Sequence, residues 1–152
     1  HNVKGGEDLE KEILRSSDGG EIIMETKTFD TRITDFFYIE DTTKILIRTN
    51  DQIWKSDDEG RSWKLIEQEL KGKKVLAMIK NRYFTNHIYF ITQSDEQYYT
   101  TDAGENIKPM KVPKQPNTFG IPILDFHPKK EGWLIYTSSE KCDETSSSEC
   151  AV

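Results

Sequence analysis

Three observations along the 152-residue sequence predict an all-β chain made of four-stranded antiparallel sheets. A short motif, in which Ser or Thr is followed by Asp at the third position and Gly at the fifth, occurs three times, with starts 40 and 44 residues apart. Short runs rich in β-branched and aromatic residues lie around each copy. Turn signals such as Asp-Thr-Thr and Asn-Asp separate these runs. Because self-similarity at about 40 to 45 residues is typical of β-propeller blades, we predict consecutive blades of this kind.

Two complete repeats are predicted, at residues 27–71 and 72–113, each with four strands. The strand runs of the first are 33–39, 44–49, 52–56 and 62–66. The runs of the second are 74–79, 87–92, 96–100 and 106–112. Pro109 lacks an amide hydrogen, so the last run is expected to be a weak or edge strand.

Two half repeats flank the complete ones. Residues 1–26 are expected to be the second half of a blade, and residues 114–152 the first half of a further blade. Their strand runs are 11–16 and 21–26 in the former, and 123–127 and 133–137 in the latter. The stretch 65–74 contains helix formers, but Gly72 would end a helix early, so we predict a linker there.

The repeated motif lies where each hairpin must reverse, between the third and fourth runs of a repeat. Its members are Ser16, Asp18 and Gly20, then Ser56, Asp58, Gly60 and Trp63, and finally Thr100, Asp102 and Gly104. Hydroxyl and carboxylate groups can bind the amides of a tight turn, and Gly adopts a positive φ without steric cost. The motif therefore predicts architecture at these turns.

A catalytic interpretation of the same residues is weaker. A reactive Ser needs a base that a third group orients, and no such base recurs beside the three motifs. We therefore predict no catalytic residue and no enzyme. The three histidines stand apart from one another, which gives no metal-ligand spacing, and no cofactor is expected.

Charge and hydropathy exclude two classes of partner. The net charge is −6 with scattered lysines and arginines, so nucleic acid is not an expected partner. No apolar run approaches the roughly 18 residues that a membrane span needs, so no membrane contact is expected from this segment. Cys142 and Cys150 are the two cysteines, and we predict a disulfide in an oxidising compartment, formed either between them or to a later blade.

The motif spacing S/T-x-D-x-G-x-x-W resembles the Asp box, or BNR repeat, of sialidases, other glycosidases and the Vps10/sortilin sorting receptors. The fuller pattern IWKSDDEGRSWKLI, YYTTDAGENI and ILDFHPKKEGWLIYTSSEKC is similar to the Vps10 domains of fungal vacuolar sorting receptors. The sequence departs from the box at Ile23 and Ile107, which replace the Trp seen at Trp63. We expect those two hairpins to form but to be less well anchored.

The resemblance implies a ten-bladed propeller of which these blades are a part, packed against the remaining blades of the parent. It also implies capture of soluble protein or peptide cargo, such as hydrolase precursors, in the Golgi lumen and release in acidic endosomes. The parent would be a type I membrane protein. The cargo-binding residues are unknown, since the peptide contacts of sortilin-like members lie in later blades.

Two alternatives stay open: a fragment of an Asp-box glycosidase or sialidase, and a free-standing secreted interaction protein. Against the first, the sequence has five arginines and no Phe-Arg-Ile-Pro stretch of the sialidase type. Turnover of sialosides or glucans by a complete ectodomain would support it. A cooperative, non-aggregating purified chain would support the second.

Further polar and aromatic residues can be placed on the predicted strands. Asp35 and Lys80 fall at or near the innermost strands, but a solvated position without a cargo role is the favoured interpretation for both. His127 is expected to be a hydrogen-bonded strand-end residue. Core or inter-blade packing is predicted for five aromatic residues, with one of the last two exposed: Trp54, Trp63, Trp133, Tyr98 and Tyr99.

Overall fold

The computed structural model describes residues 12–16, 18–21, 24–119 and 122–138, and the secondary structure of these residues consists of strands. The strands are β1 (Glu12–Arg15), β2 (Met24–Thr28), β3 (Ile33–Tyr38), β4 (Ile45–Thr49), β5 (Ile53–Ser56), β6 (Lys64–Ile66), β7 (Val75–Lys80), β8 (Ile88–Thr92), β9 (Glu96–Thr100), β10 (Lys108–Lys111), β11 (Leu124–Phe126) and β12 (Leu134–Tyr136). None of the described residues belongs to a helix, and therefore none lies in a helix able to cross a membrane.

The twelve described strands form four separate antiparallel sheets, and within each sheet a strand pairs with the strand next to it in sequence. Sheet I contains β3-β4-β5-β6 and sheet II contains β7-β8-β9-β10, each in chain order. Two hairpins flank them: the front hairpin β1-β2 and the rear hairpin β11-β12. The predicted all-β fold with four-stranded antiparallel blades is therefore confirmed, while the repeat boundaries at 26, 71 and 113 remain a prediction.

Strand chemistry explains where the strands begin and end. The β-branched and aromatic runs form β3, β4, β7 and β8, and turns with polar side chains separate them. Pro109 lies in β10, which is an edge strand of sheet II, as expected for a residue without an amide hydrogen. Between β6 and β7 the chain makes a turn instead of a helix, where the Gly72 amide donates to the Glu67 carbonyl (3.1 Å).

Side chains on both faces of the two complete sheets are buried, so three apolar interfaces follow one another along the chain. The front hairpin and sheet I share a cluster around Phe29, Ile45 and Ile47. Sheets I and II share the largest cluster, which includes Leu46, Ile53, Met78, Phe90 and Tyr98. Sheet II and the rear hairpin share Ala77, Tyr89, Ile91, Leu124 and Phe126. The four β elements therefore pack face to face in series, as blades do.

Candidate functional site

The best-defined polar constellation is the Asp-box turn between β5 and β6. The Ser56 hydroxyl donates to Asp58 Oδ1 (2.8 Å) and accepts from the Gly60 amide (2.8 Å). Asp58 in turn accepts from the Ser62 amide (2.8 Å) and the Ser62 hydroxyl (2.6 Å). With the Asp58 amide, which also donates to the Ser56 hydroxyl (3.4 Å), the two short side chains satisfy four donors of the turn besides the Ser56 hydroxyl itself.

The turn between β9 and β10 repeats this arrangement with different residue types. The Thr100 hydroxyl donates to Asp102 Oδ1 (2.7 Å) and accepts from the Gly104 amide (2.9 Å). Asn106 replaces Ser62, and its amide (2.9 Å) and side-chain Nδ2 (2.7 Å) donate to the two oxygens of Asp102. The turn after β1 contains the same first half: Ser16 donates to Asp18 (2.9 Å) and accepts from the Gly20 amide (2.8 Å).

The glycines at the fifth position of the second and third motifs are required by backbone conformation. Gly60 has φ +90° and Gly104 has φ +91°, in a region that side chains with a Cβ avoid. A Cβ on Gly104 would lie 3.4 Å from Lys55 Cδ and 3.6 Å from Leu46 Cδ2, at ordinary van der Waals distances, so the positive φ is the feature that requires glycine there.

Hydrogen bonds hold the pKa of both box carboxylates low. The Ser62 hydroxyl is the main cause of lowering the pKa of Asp58 from 3.8 to about 2, helped by the Ser62 amide and Ser56. For Asp102, burial raises the pKa, but donation from Asn106 and Thr100 outweighs it and lowers the pKa to about 2. Both side chains are therefore ionised acceptors at neutral pH and poor general acids.

The anchoring residue of the box differs between copies. Trp63 donates from Nε1 to the Gly60 carbonyl (3.1 Å) and meets the Phe29 ring edge-on at 5.9 Å between centroids. Ile107, which lacks this donor, is partly buried against the cluster between sheets I and II. Ile23 lies outside the described residues, as do Cys142 and Cys150, so the predicted disulfide stays a prediction.

Basic side chains directly before two of the motifs reach the next sheet, a feature that the sequence interpretation missed. Arg15 Nε donates to the Glu59 carbonyl (3.1 Å) in the second motif. Lys55, only 6% exposed, donates from Nζ to the Gly104 carbonyl (3.4 Å) and to Glu105 Oε1 (3.3 Å) in the third motif. The sequence feature that could have predicted these contacts is a basic residue immediately before Ser16 and another immediately before Ser56.

Two further side chains contact the next element along the chain. Each belongs to the residue directly before a strand, Lys44 before β4 and His87 before β8. Lys44 Nζ lies 2.7 Å from Glu105 Oε1, across the gap between sheets I and II. His87 Nε2 lies 2.9 Å from Glu131 Oε1, which belongs to the turn of the rear hairpin. His87 is 4% exposed, and its Nδ1 is buried without a hydrogen-bond partner.

Of the polar residues considered at or near the innermost strands, Asp35 and His127 have local partners. Asp35 accepts a hydrogen bond from Arg48 Nε on the neighbouring strand, so the two side chains form an ion pair within sheet I. Lys80 is half-buried at the end of β7. His127 Nδ1 accepts from the amides of Lys129 and Lys130 (3.0 Å each), which makes it a hydrogen-bonded residue at a strand end, as expected.

Two aromatic predictions turn out differently. Trp133 does not pack in the core, since it is 59% exposed among the described residues, with Lys130 Nζ 3.9 Å from its ring centroid, and its packing between blades stays a prediction. One of Tyr98 and Tyr99 was expected to be exposed, but Tyr98 is fully buried and Tyr99 is half-buried, stacked on Tyr89. Strand alternation places these tyrosines on opposite faces, and sheets cover both faces of sheet II.

Among the described residues, no group of three or more His, Cys, Asp or Glu side chains is arranged to hold a metal ion. The acids nearest the boxes are instead paired with lysines or with turn amides, as for Glu105 and Asp58. The constellation is chemically suited to bracing turns and sheets.

Comparison with known proteins agrees with this architecture. The family model Sortilin-Vps10, described as sortilin, neurotensin receptor 3, matches residues 51–152. Proteins named vacuolar protein sorting/targeting protein 10 are similar to the chain over most of its length. That of Blastomyces gilchristii is 37% identical over 92% of the chain, that of Paracoccidioides brasiliensis 35% over 91%, and that of Aspergillus terreus 34% over 94%.

Each alignment covers 10% of the relative, so the chain spans about a tenth of the length of the curated relatives it matches. The family model covers the greater part of the chain, including sheet II, the rear hairpin, and the strands β5 and β6 of sheet I. On this match, the chain belongs to the Sortilin-Vps10 family.

Proposed function

We propose that this chain is a luminal, cargo-binding part of a vacuolar sorting receptor. The receptor captures soluble hydrolase precursors or peptides in the Golgi and releases them in acidic endosomes. The observation that carries the proposal is the family match, together with relatives named vacuolar protein sorting/targeting protein 10 that align with more than nine-tenths of the chain. The parent is then a type I membrane protein of the Golgi–endosome system.

The sheet geometry supports capture of an extended peptide. Within the described residues, β3 is an edge strand of sheet I and β7 is an edge strand of sheet II. Each of them has backbone groups on a side where no other strand pairs with it. An extended peptide can add to such an edge through main-chain hydrogen bonds, with side-chain pockets supplying specificity. Innermost strands of successive blades would present such edges toward a central tunnel.

We propose that the three Asp boxes are architectural and that the chain is not an enzyme. The hydroxyls of Ser16, Ser56 and Thr100 each bind the Asp and the Gly amide of their own turn. The low pKa of Asp58 and of Asp102 makes either one a poor general acid. Turnover of sialoside or glucan substrates by the intact protein would contradict this proposal.

The sorting proposal can be tested in cells of the source organism that lack the intact protein. Soluble vacuolar hydrolase precursors are expected to appear in the medium, and re-expression of the intact protein is expected to return them to the vacuole. A secreted protein with no vacuolar destination serves as the control and should be unchanged. Normal hydrolase delivery in the deleted cells would contradict the proposal.

Release in endosomes is tested separately with purified intact receptor. A hydrolase precursor mis-secreted by the deleted cells is the probe, and its binding is measured at pH 7 and at pH 5. Weaker binding at pH 5 is expected. Equal binding at both values would contradict acid release while leaving cargo capture intact.

An oxidising, luminal location also predicts the state of Cys142 and Cys150. Alkylation of the purified protein without reduction should leave both residues unmodified, and reduction before alkylation should add a label to each, as read by peptide mass. Modification of both thiols without reduction would refute the disulfide.

A further inference from the structure

A groove of about 260 Å³ lies at the turn between β8 and β9 of sheet II. It is lined by two lysines, two hydroxyl side chains and one amide side chain: Lys73, Lys74, Thr92, Gln93 and Ser94. Each of these side chains can donate a hydrogen bond, and none of them is acidic. A groove with this lining suits a negatively charged group that accepts hydrogen bonds.

Hydrogen bonds hold the turn that forms this groove from two sides. Gln97 is fully buried, and its side chain accepts from the Thr92 amide (2.6 Å) and donates to the Ser94 carbonyl (2.6 Å). Gln115, in the segment after β10, donates from Nε2 to the Thr92 carbonyl (2.9 Å). The groove is therefore preformed, so a ligand does not have to order the turn on binding.

The lysines beside the groove outnumber the carboxylate that they share. Lys71 Nζ lies 2.8 Å from Glu96 Oε1, and Lys73 Nζ lies 3.5 Å from Glu96 Oε2. The hydrogen bond from Lys71 is the largest cause that lowers the pKa of Glu96 from 4.5 to about 2, so Glu96 is ionised at neutral pH. Within the described residues Lys74 forms no ion pair, so the groove keeps a positive charge.

The corresponding turn of sheet I provides an internal comparison. Ile33 pairs with Thr49 directly before a bulge in β3, and Val75 pairs with Thr92 directly before a bulge in β7. The two threonines therefore hold the same position, at the end of the second strand of their sheets.

Sheet I supplies a carboxylate at this turn, and sheet II does not. In sheet I the carboxylate of Asp51 accepts from the hydroxyls of Thr49 (3.2 Å) and Thr31 (2.8 Å). In sheet II the position of Asp51 is held by Ser94, whose hydroxyl lies 2.9 Å from that of the corresponding threonine. The position of Thr31 is held by Lys73, a charged donor in place of a neutral one. Sheet II thus has stronger donors for a carboxylate than sheet I but lacks the carboxylate.

We propose that the groove of sheet II binds the carboxylate of an Asp or Glu side chain from another protein, in the place that Asp51 takes in sheet I. Lys73, Lys74 and Ser94 donate to it. The groove adjoins the first residue of β7, an edge strand along which an extended segment can lie, so an acidic protein segment fits as the occupant. Naming that segment as part of a cargo rests on the proposed function, whereas carboxylate binding does not.

Two synthetic peptides and the purified intact protein test the proposal. The acidic probe is a short, end-capped, fluorescein-labelled peptide in which Thr and Glu alternate, and Gln replaces Glu in the matched probe. Fluorescence anisotropy is measured at physiological ionic strength, where long-range attraction is screened. The acidic probe is expected to bind about tenfold more tightly, because it forms hydrogen bonds between charged groups. Equal binding of the two probes would overturn the proposal.

Three variants assign the binding to the groove. Lys74→Glu is expected to weaken binding of the acidic probe several-fold through like-charge repulsion. Ser94→Asp places a carboxylate where sheet I has one, so it should also weaken binding while the melting temperature does not fall. Lys129→Glu makes the same charge change at an exposed lysine that does not line the groove, and it should leave binding unchanged. Unchanged binding in both groove variants, or an equal loss in Lys129→Glu, would overturn the proposal.

Lysine acetylation of the intact protein, read by peptide mass, locates the bound probe directly. The acidic probe should slow acetylation of Lys73 and Lys74 but not of Lys129, and equal rates with and without the probe would overturn the location. Inorganic phosphate tests the ligand chemistry, since displacement of the probe by phosphate at the probe's own concentration would overturn the carboxylate assignment. Neither probe is a cargo, so sorting can fail while the groove binds, and the reverse.

Discussion

Ser56 and Ser16 hold the same position in two copies of one turn but differ in burial, which makes them a natural comparison. Ser56 is 1% exposed, and the Gly60 amide that it accepts from is buried, whereas Ser16 is exposed to solvent. Water can replace the hydroxyl at Ser16, but it has little access to the Gly60 amide. The same hydrogen bonds therefore differ in their contribution to stability.

Ser56→Ala is expected to lower the free energy of unfolding by about 1–3 kcal/mol, because a buried amide loses its acceptor. Ser16→Ala removes the corresponding group at an exposed turn and should cost clearly less. Urea denaturation of the purified intact protein measures both. Equal losses for the two variants would show that burial of the turn does not determine the contribution of the hydroxyl.

The low pKa of Asp58 predicts a pH dependence with a definite sign. The folded pKa is about 2, below the ordinary value of 3.8, so the unfolded state binds the proton more readily. The stabilising contribution of Asp58 is therefore present above about pH 4 and is lost as the pH falls toward 2. Ser62→Ala removes the strongest donor to Asp58, so the pKa of Asp58 should rise toward 3.8 and this pH dependence should become shallower.

Carbon-detected NMR titration of the Asp58 carboxyl in wild type and Ser62→Ala checks the prediction. The Asp102 carboxyl is the internal control, because its donor Asn106 is unchanged in the variant and its pKa should stay at about 2. A midpoint for Asp58 near 3.8 in the wild type would contradict the turn geometry.

At the scale of the strand, alternation gives each sheet two apolar faces with different partners. Ile45 and Ile47 of β4 pack toward the front hairpin, and Leu46 between them packs toward sheet II. A strand buried on both sides has no solvent face, which explains why β4 and β8 are continuous apolar runs instead of alternating ones.

Leu46→Ala is expected to lower the free energy of unfolding by about 2–5 kcal/mol, the range for a large apolar side chain removed from a packed core. Leu46 Cδ2 also lies 3.6 Å from the position of a Cβ built on Gly104, so the cavity would open between the two sheets, beside the third motif. Phe119→Ala, at a 94% exposed position, is the control and should change stability by no more than about 0.5 kcal/mol. Equal effects in chemical denaturation would contradict the inter-sheet packing.

At the scale of the whole molecule, five of the seven large apolar residues that are exposed in the described chain lie on its front and rear faces, the other two being Tyr83 and Phe119. Leu14, Phe36 and Tyr38 are 47–59% exposed toward the front, and Trp133 and Ile135 are exposed at the rear. Phe36 holds the position in sheet I that Met78 holds in sheet II, and Met78 is buried by the sheet before it. The front face therefore has the character of an interface as well.

The 152-residue chain expressed alone is expected to associate as its concentration rises, because both end faces would be open to water. Light scattering should show a mean mass above that of the monomer. Phe36→Glu combined with Ile135→Glu should reduce the association, and Phe119→Glu should not. A chain that stays monomeric and melts cooperatively would favour the free-standing interaction protein over a part of a larger propeller.

The sequence by itself determined the strands and the turns, because both depend on local chemistry. β-Branched runs and turn residues act within a few residues, so a strand could be predicted near each of the twelve strands of the described chain, although β2 lies at Met24–Thr28 and not at 21–26. The edge position of β10 could also be predicted from the sequence, because Pro109 has no amide hydrogen to donate to a neighbouring strand.

Only the tertiary structure decided which residues meet between sheets. Lys55 and Glu105 are 50 positions apart, and strand patterning cannot show that a lysine next to a turn will be buried against the next turn. The exposure of Trp133 in the described chain, the full burial of Tyr98 and the half-burial of Tyr99 were missed for the same reason. Burial between stacked sheets depends on which sheet lies on each face, and that is a property of the assembled molecule.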